Sequence, residues 1–311
     1  MPSDQNNDRH NFQQISLLVD MNSLDNVFEE VKTLYLDMFN QGDLSSLVAV
    51  FEDVVFLFQG RCHGYKACDT PYHNLKHTTD VFLAMTRLLH GARVAGKEFS
   101  EINVRMGIIA ALMHDSGYMR KETDRQPSGA RLAPMHVRRS VEFMTQCLTQ
   151  HGFPKKQISR TAEIILYTDH EKAASGMPSG LSKTHRMLGN MLASADLLAQ
   201  TADRTYLEKL PLLYREFKEA EIGNYDSELD LIKDAVSFND HMHARLENQL
   251  DNVKRFLSNH FQVRWYIDAD LYQVAIKRSM AYLESVLNAD TGNYLCHFRR
   301  SLTPKNQSFK N

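Results

Sequence analysis

No segment of this 311-residue chain alternates apolar and polar residues over a sustained stretch, whereas apolar residues recur at helical spacing through most of it. Val27, Val31, Leu34, Tyr35 and Met38 are the clearest early instance. Ser23 before them is a natural N-cap, with acidic residues in the first turn. This periodicity predicts an all-α protein. Helices are expected from about 23 to 40, near 44–58, from His73 to Ala92, from Ser100 or Glu101 to Asp115, and near 133–151, 155–170, 181–217, 227–260 and 268–288. Pro154, Pro178 and glycine-rich turns separate the later ones.

The helix ending at Asp115 stands out. Its stretch GIIAALM, residues 107–113, is apolar on every side, which predicts a central, buried helix. Residues 60–71 and 116–132 read as polar loops from their Gly, Pro, Asp and charged content. The expected organisation is a mobile tail over 1–22, accessory helices over 23–59, a core over 60–220, and C-terminal helices over 221–311 that complete the same domain.

Composition excludes several classes. Hydrophobic residues make up 43%, enough for a full core, and the formal net charge of −2 argues against a nucleic-acid binder. No apolar run is long enough to span a bilayer, and the opening MPSDQNNDRHNFQQ lacks the apolar core of a secretory signal. The four cysteines, Cys62, Cys68, Cys147 and Cys296, show no CxxC spacing, which argues against a cysteine zinc site. So few in a chain this long suit a reducing compartment, and a cytoplasmic protein is expected.

Histidine is the unusual count, at fourteen, and neutral imidazole is the commonest metal ligand. In PYHNLKHTTDV, residues 71–81, His73 and His77 are four apart and share a face if both are helical. Asp80 lies close to that face and could accept a hydrogen bond from a ligating imidazole. Two surface histidines on an amphipathic helix would give the same pattern. In MHDSG, residues 113–117, an apolar helix ends in His114-Asp115. A charged pair emerging from a buried helix needs a partner such as a metal, unless the helix simply reaches solvent there. In MLGNMLASADLLA, Asp196 interrupts an apolar helix, and buried aspartate is rare unless paired or metal-bound. A polar network or an exposed face is the alternative. Together His77, His114, Asp115 and Asp196 offer two imidazoles and two carboxylates, a set suited to a borderline divalent ion.

These blocks resemble the HD-domain metal-dependent phosphohydrolases, and within them the class I cyclic-nucleotide phosphodiesterases. The resemblance rests on Pro71-Tyr72-His73-Asn74 with His77, Asp80 and Val81, on His114-Asp115, on Thr168-Asp169, and on Ala195-Asp196-Leu197 with Thr201, and covers residues 71–201. It implies a phosphodiesterase-like helical bundle. It also implies one or two divalent ions (Mg, Mn, Zn or Fe), the first held by His77, His114, Asp115 and Asp196, with Asp115 bridging to a second. A metal-bridged hydroxide would attack phosphorus and His73 would be the general acid. Asn74 and Asp169 join Asp80 as supports of the ligands. His136 and His170 stand where ligands of a second metal would fall, surface positions being the alternative for each. Tyr118 occupies the place of a further family histidine, Asn103 that of a family glutamate with Glu101 two residues away, and only Gln262 and Trp265 echo the base-clamping motif.

The expected partner is a small phosphoester or nucleotide, a 3′,5′-cyclic nucleotide among them, with no organic cofactor, nucleic acid or membrane; the oligomeric state, a homodimer included, stays open. A di-iron oxygenase and a non-catalytic nucleotide-sensing module are the other classes compatible with the pattern. Arg120, Lys121, Arg125 and Arg131 in loop 116–132, with Arg138 and Arg139, are read chiefly as a solvated run that could also close over phosphate. The segment LEKLPLLYREF, 207–217, reads as core or pocket wall.

Overall fold

A computed structural model describes residues 14–169, 182–289 and 294–300. Its elements are α1 (Ile15–Leu18), α2 (Leu24–Met38), α3 (Ser45–Phe58), α4 (Leu75–Val94), α5 (Glu101–Met113), α6 (His136–Gln150), α7 (Lys155–Ile165), α8 (Lys183–Thr201), α9 (Tyr206–Ala220), α10 (Glu228–Asn248), α11 (Phe256–Trp265) and α12 (Leu271–Asn288). Short 3₁₀ turns lie at Ser116–Tyr118, Ala130–Met135 and Leu166–Thr168. Among the described residues there is no strand, only an isolated bridge between Tyr65 and Lys121 that ties the two polar loops together. The fold is all-α, as the periodicity predicts. None of the described helices is long and apolar enough to cross a membrane.

The hub is α4. It packs against α2, α5, α8 and α11, and every residue from His77 to Ala92 is buried. The apolar helix α5 is buried from Met106 to Met113, as expected, but it is a neighbour of the hub. Polar residues disguise α4 in sequence, because their partners are internal. Arg87, fully buried, donates from Nη1 to the Tyr272 hydroxyl at 3.1 Å and lies against the rings of Phe261 and Tyr272. A Cβ on Gly91 would sit 1.9 Å from the Phe256 carbonyl oxygen, so only glycine lets α11 approach this closely.

Several expected boundaries move. The helix expected from His73 begins at Leu75, because Asn74 caps it: its side chain accepts from the His77 N–H at 3.2 Å. The helix expected over 181–217 divides into α8 and α9, where Asp203 Oδ1 accepts from the N–H and hydroxyl of Thr205 and turns the chain. The one expected over 227–260 divides into α10 and α11 at Asp251 and Asn252, both left-handed with φ of 53° and 48°. Apolar periodicity runs on across both breaks, which hides them. Residues 14–22, expected to be mobile, include α1, packed on α12, with Ile15 and Val19 buried. The helices α2 and α3, expected as an accessory layer, share one continuous apolar core with the rest.

Candidate metal centre

Four donors from three elements converge beside the N-terminal end of α4. His77 comes from its first turn, His114 and Asp115 from the C-terminal end of α5, and Asp196 from α8. His77 Nε2 lies 3.1 Å from Asp196 Oδ1 and 3.5 Å from Asp115 Oδ2. His114 Nε2 lies 3.3 Å from Asp115 Oδ2 and 3.7 Å from Asp196 Oδ1. Bonds of about 2.0–2.2 Å from one ion to such donors imply donor–donor edges of roughly 2.8–3.6 Å. Three of the four separations fall within these edges and the fourth, 3.7 Å, lies just beyond them; three of the four are too long for good hydrogen bonds.

The donors are also poorly satisfied by one another. His114 donates from Nδ1 to the Ala111 carbonyl at 2.8 Å, which orients the ring and leaves Nε2 facing the carboxylates. That Nε2 and Asp115 Oδ2 are buried without a hydrogen-bond partner. An orphaned buried nitrogen beside an orphaned carboxylate oxygen is costly unless a cation stands between them. Burial alone would raise the pKa of Asp115 and Asp196; the facing imidazoles overcome it and hold both below the usual carboxylate range. Two ionised carboxylates and two imidazoles thus face one point. His77, His114 and Asp115 form a buried group able to hold a metal ion.

The centre opens on one side. The side chains of His114 and Asp115 are 1% and 5% exposed, that of Asp196 19%. His73 and His136, both partly exposed, flank the centre. His136 donates from Nδ1 to the Ala133 carbonyl at 2.5 Å and aims Nε2 at Asp115 Oδ1, 3.9 Å away. It arrives there because Gly117 lets α6 press on the turn after Asp115: a Cβ would lie 1.9 Å from the His136 carbonyl oxygen. The Gly117 N–H also donates to Ser140 Oγ at 2.9 Å. Tyr118 is sandwiched between His73 and His136, with ring centroids 4.5 Å from each.

His73 is not on the α4 helix face, as its spacing from His77 suggests; it precedes the cap. The structure still brings it to the centre, 5.9 Å from His77 between ring centroids. A residue unforeseen from sequence holds it there. Glu216 of α9 accepts the N–H groups of Tyr72 at 2.5 Å and His73 at 3.3 Å on Oε1, and its Oε2 lies 2.5 Å from His73 Nδ1. Burial disfavours a charged His73; the Glu216 carboxylate outweighs it, so the imidazole pKa is raised. The segment read as core wall contained the clue: Glu216 takes an inward place between Leu213 and Ala220, three residues after one and four before the other. Glu101, near the position of the family glutamate, instead accepts from the Tyr35 hydroxyl and the Asp43 N–H. It starts the 13-residue α5, about 20 Å from His114.

Other expectations resolve differently. Asp80 pairs with Lys76 and not with a ligating imidazole. Asn74 supports His77 through the backbone. Asp169 follows the turn Leu166–Thr168, which packs on α8. His170 lies outside the described residues. Arg139 donates to the carbonyls of Gly117 and Met119 and to Asp124, Arg120 pairs with Asp69, Arg131 with Glu221, and Arg138 with Glu142, so these cations are engaged within the protein. Gln262 is exposed on α11.

Fold and site together define an all-α protein with a buried His/Asp cluster able to hold a metal ion. A family model described as Npun_R2479-like matches residues 61–245, and the chain belongs to the Npun_R2479-like family. The matched span contains every residue of the centre from His73 to Glu216. No curated protein matches the chain.

Proposed function

We propose that this protein is a metal-dependent phosphohydrolase of the HD-domain type, cleaving a small phosphoester, with 3′,5′-cyclic nucleotides the foremost candidate substrates. His77, His114, Asp115 and Asp196 would hold a divalent ion, and His136 stands where it could serve a second. When bound, such ions supply Lewis-acid activation of water and neutralise phosphate charge. The chain's own contribution is the proton. Glu216 fixes His73 through Nδ1 and favours its charged form, which leaves Nε2 as the nitrogen able to protonate a departing alkoxide.

The His73–Glu216 pair beside four converging donors carries this reading. A metal-stabilised sensing module has no need of a positioned acid, and a di-iron oxygenase would use the histidines as ligands without one. The test is turnover of a panel of cyclic nucleotides, nucleoside monophosphates and a bis-aryl phosphate with added Mg²⁺, Mn²⁺, Zn²⁺ or Fe²⁺. Chelator-sensitive hydrolysis is expected. His73→Ala is expected to keep its metal while hydrolysing alkyl esters at least about a hundredfold more slowly. Turnover indifferent to chelators, or oxygen consumption with a polyol in place of hydrolysis, would overturn the proposal.

A further inference from the structure

A second group of metal-type donors lies where α3 meets the C-terminal end of α6. Cys147 and His151 are four apart at the end of α6, the His151 N–H donating to the Cys147 carbonyl at 3.1 Å. They therefore present their side chains to one side. Asp53 of α3 faces both: its Oδ2 accepts from Cys147 Sγ at 3.3 Å and lies 2.6 Å from His151 Nε2. The three offer donor atoms within 4.8 Å of one another. Cys147 is buried, whereas Asp53 and His151 are open enough to admit an ion.

We propose that Asp53, Cys147 and His151 form a separate binding site for a thiophilic divalent cation, Zn²⁺ above all, with water in the fourth position. The donor chemistry separates it from the centre at His77. There the donors are imidazole nitrogens and carboxylate oxygens; here a sulfur joins one of each, and thiolate selects Zn²⁺ over Mg²⁺ or Mn²⁺. The Cys147–Asp53 separation is close to the roughly 3.5 Å edge of a tetrahedron with a Zn–S bond near 2.3 Å and a Zn–O bond near 2.0 Å. The short His151–Asp53 contact would open by under an ångström, easy for two partly exposed side chains. Burial, and after it the Asp53 carboxylate, disfavours the thiolate of Cys147 and of Cys62, half-buried on the loop after α3. A bound cation reverses that balance, because a coordinated thiol is deprotonated and its proton released to solvent. The absence of a CxxC motif does not bear on this site, since it uses one cysteine and draws its ligands from two helices. The ion would clamp α3 to the end of α6, the helix whose other end presents His136 to the catalytic centre.

The test uses the full chain, freed of metal and titrated with Co²⁺. A thiolate-to-cobalt charge-transfer band in the near ultraviolet reports a cysteine ligand, and none of the donors converging at the His77 centre is a cysteine; Cys68, whose Sγ lies 3.7 Å from the His73 carbonyl, is told apart by the Cys147→Ser variant. One equivalent is expected to saturate the band. It should persist in Asp115→Asn, disappear in Cys147→Ser, and need at least about tenfold more cobalt in His151→Ala. Circular dichroism checks that each variant is folded. As a second readout, Zn²⁺ is expected to raise the Tm of Asp115→Asn but not that of Asp115→Asn combined with Cys147→Ser. The absence of a band in the folded parent chain, or its persistence in Cys147→Ser, would overturn the proposal and leave a hydrogen-bonded cluster.

Discussion

The two ends of α4 place histidines in opposite electrostatic settings. At the N-terminal end, His77 faces His114 and two carboxylates, all aimed at one point, with His114 Nε2 and Asp115 Oδ2 lacking hydrogen-bond partners. At the C-terminal end, His90 meets His260 of α11 edge to face, with ring centroids 5.0 Å apart at 88°. Their Nδ1 atoms lie 3.2 Å apart, and His90 Nε2 reaches the exposed Asp37 at 2.8 Å. Burial and then Arg87, His90 and Arg264 push the His260 pKa well below the usual value. A cation is drawn to the first pair and repelled from the second. Among fourteen histidines, then, the carboxylates and cations around each ring decide which can ligate.

The sharpest way to break this comparison is to remove a carboxylate. Asp115→Ala is expected to abolish turnover and the metal held at the His77 centre together, leaving any ion at Asp53, Cys147 and His151 in place, because it takes away the donor that faces His77, His114 and His136 at once. His260→Ala, at the other end of the same helix, is expected to leave metal stoichiometry unchanged. Elemental analysis of the two purified variants beside the parent decides the matter; equal metal in all three would mean that the converging donors are only a polar network.

A smaller effect is expected from Glu216→Gln, which keeps the shape of the side chain and removes its charge. The His73 pKa should fall toward the ordinary histidine value, so the protonated acid is lost at lower pH. The alkaline limb of the rate profile should move toward acid, and turnover near neutrality should drop by about tenfold, less than for His73→Ala. Metal content should not change. A lower rate with an unmoved pH profile would make Glu216 a packing residue and leave the charge of His73 to other causes.

These residues also mark how far the sequence was legible. The all-α class and the candidate donors His114, Asp115 and Asp196 were readable because each breaks a local rule: His114-Asp115 ends a helix apolar on every side, and Asp196 interrupts another. Glu216 breaks the same rule between Leu213 and Ala220, but it lies beyond the resemblance over 71–201, and only the fold brings α9 against Tyr72 and His73. Asp80 shows the converse. Its spacing from His77 fitted a supporting role, yet Lys76, one turn back on its own helix, takes it. The turns at Asp203 and at Asp251-Asn252 were hidden because hydrophobic periodicity reports which face is buried, not whether the helix axis continues. Why α4 and not α5 is the hub was equally hidden: inside the core Arg87 meets Tyr272 and His90 meets His260, partners distant in sequence.

The mildest expected effect belongs to the C-terminal end of α4 and shows in stability against pH. His260 has a lowered pKa in the fold, so the unfolded chain binds a proton first as pH falls. Its contribution is therefore fully present above the unfolded value of about 6.5 and is lost as pH drops below it, at up to about 1.4 kcal/mol per pH unit for one group. The groups facing it are Arg87 and His90 on α4 and Arg264 on its own helix, and none is a carboxylate that could rescue its charge; Asp37 reaches only His90. Denaturant unfolding of the parent chain and of His260→Phe across pH 5 to 8 should give stability curves that run parallel above about pH 6.5, with the variant falling less steeply below it. If the two curves kept the same slope below pH 6.5, His260 would be charged in the fold, and the contrast between the two ends of α4 would rest on the carboxylates alone.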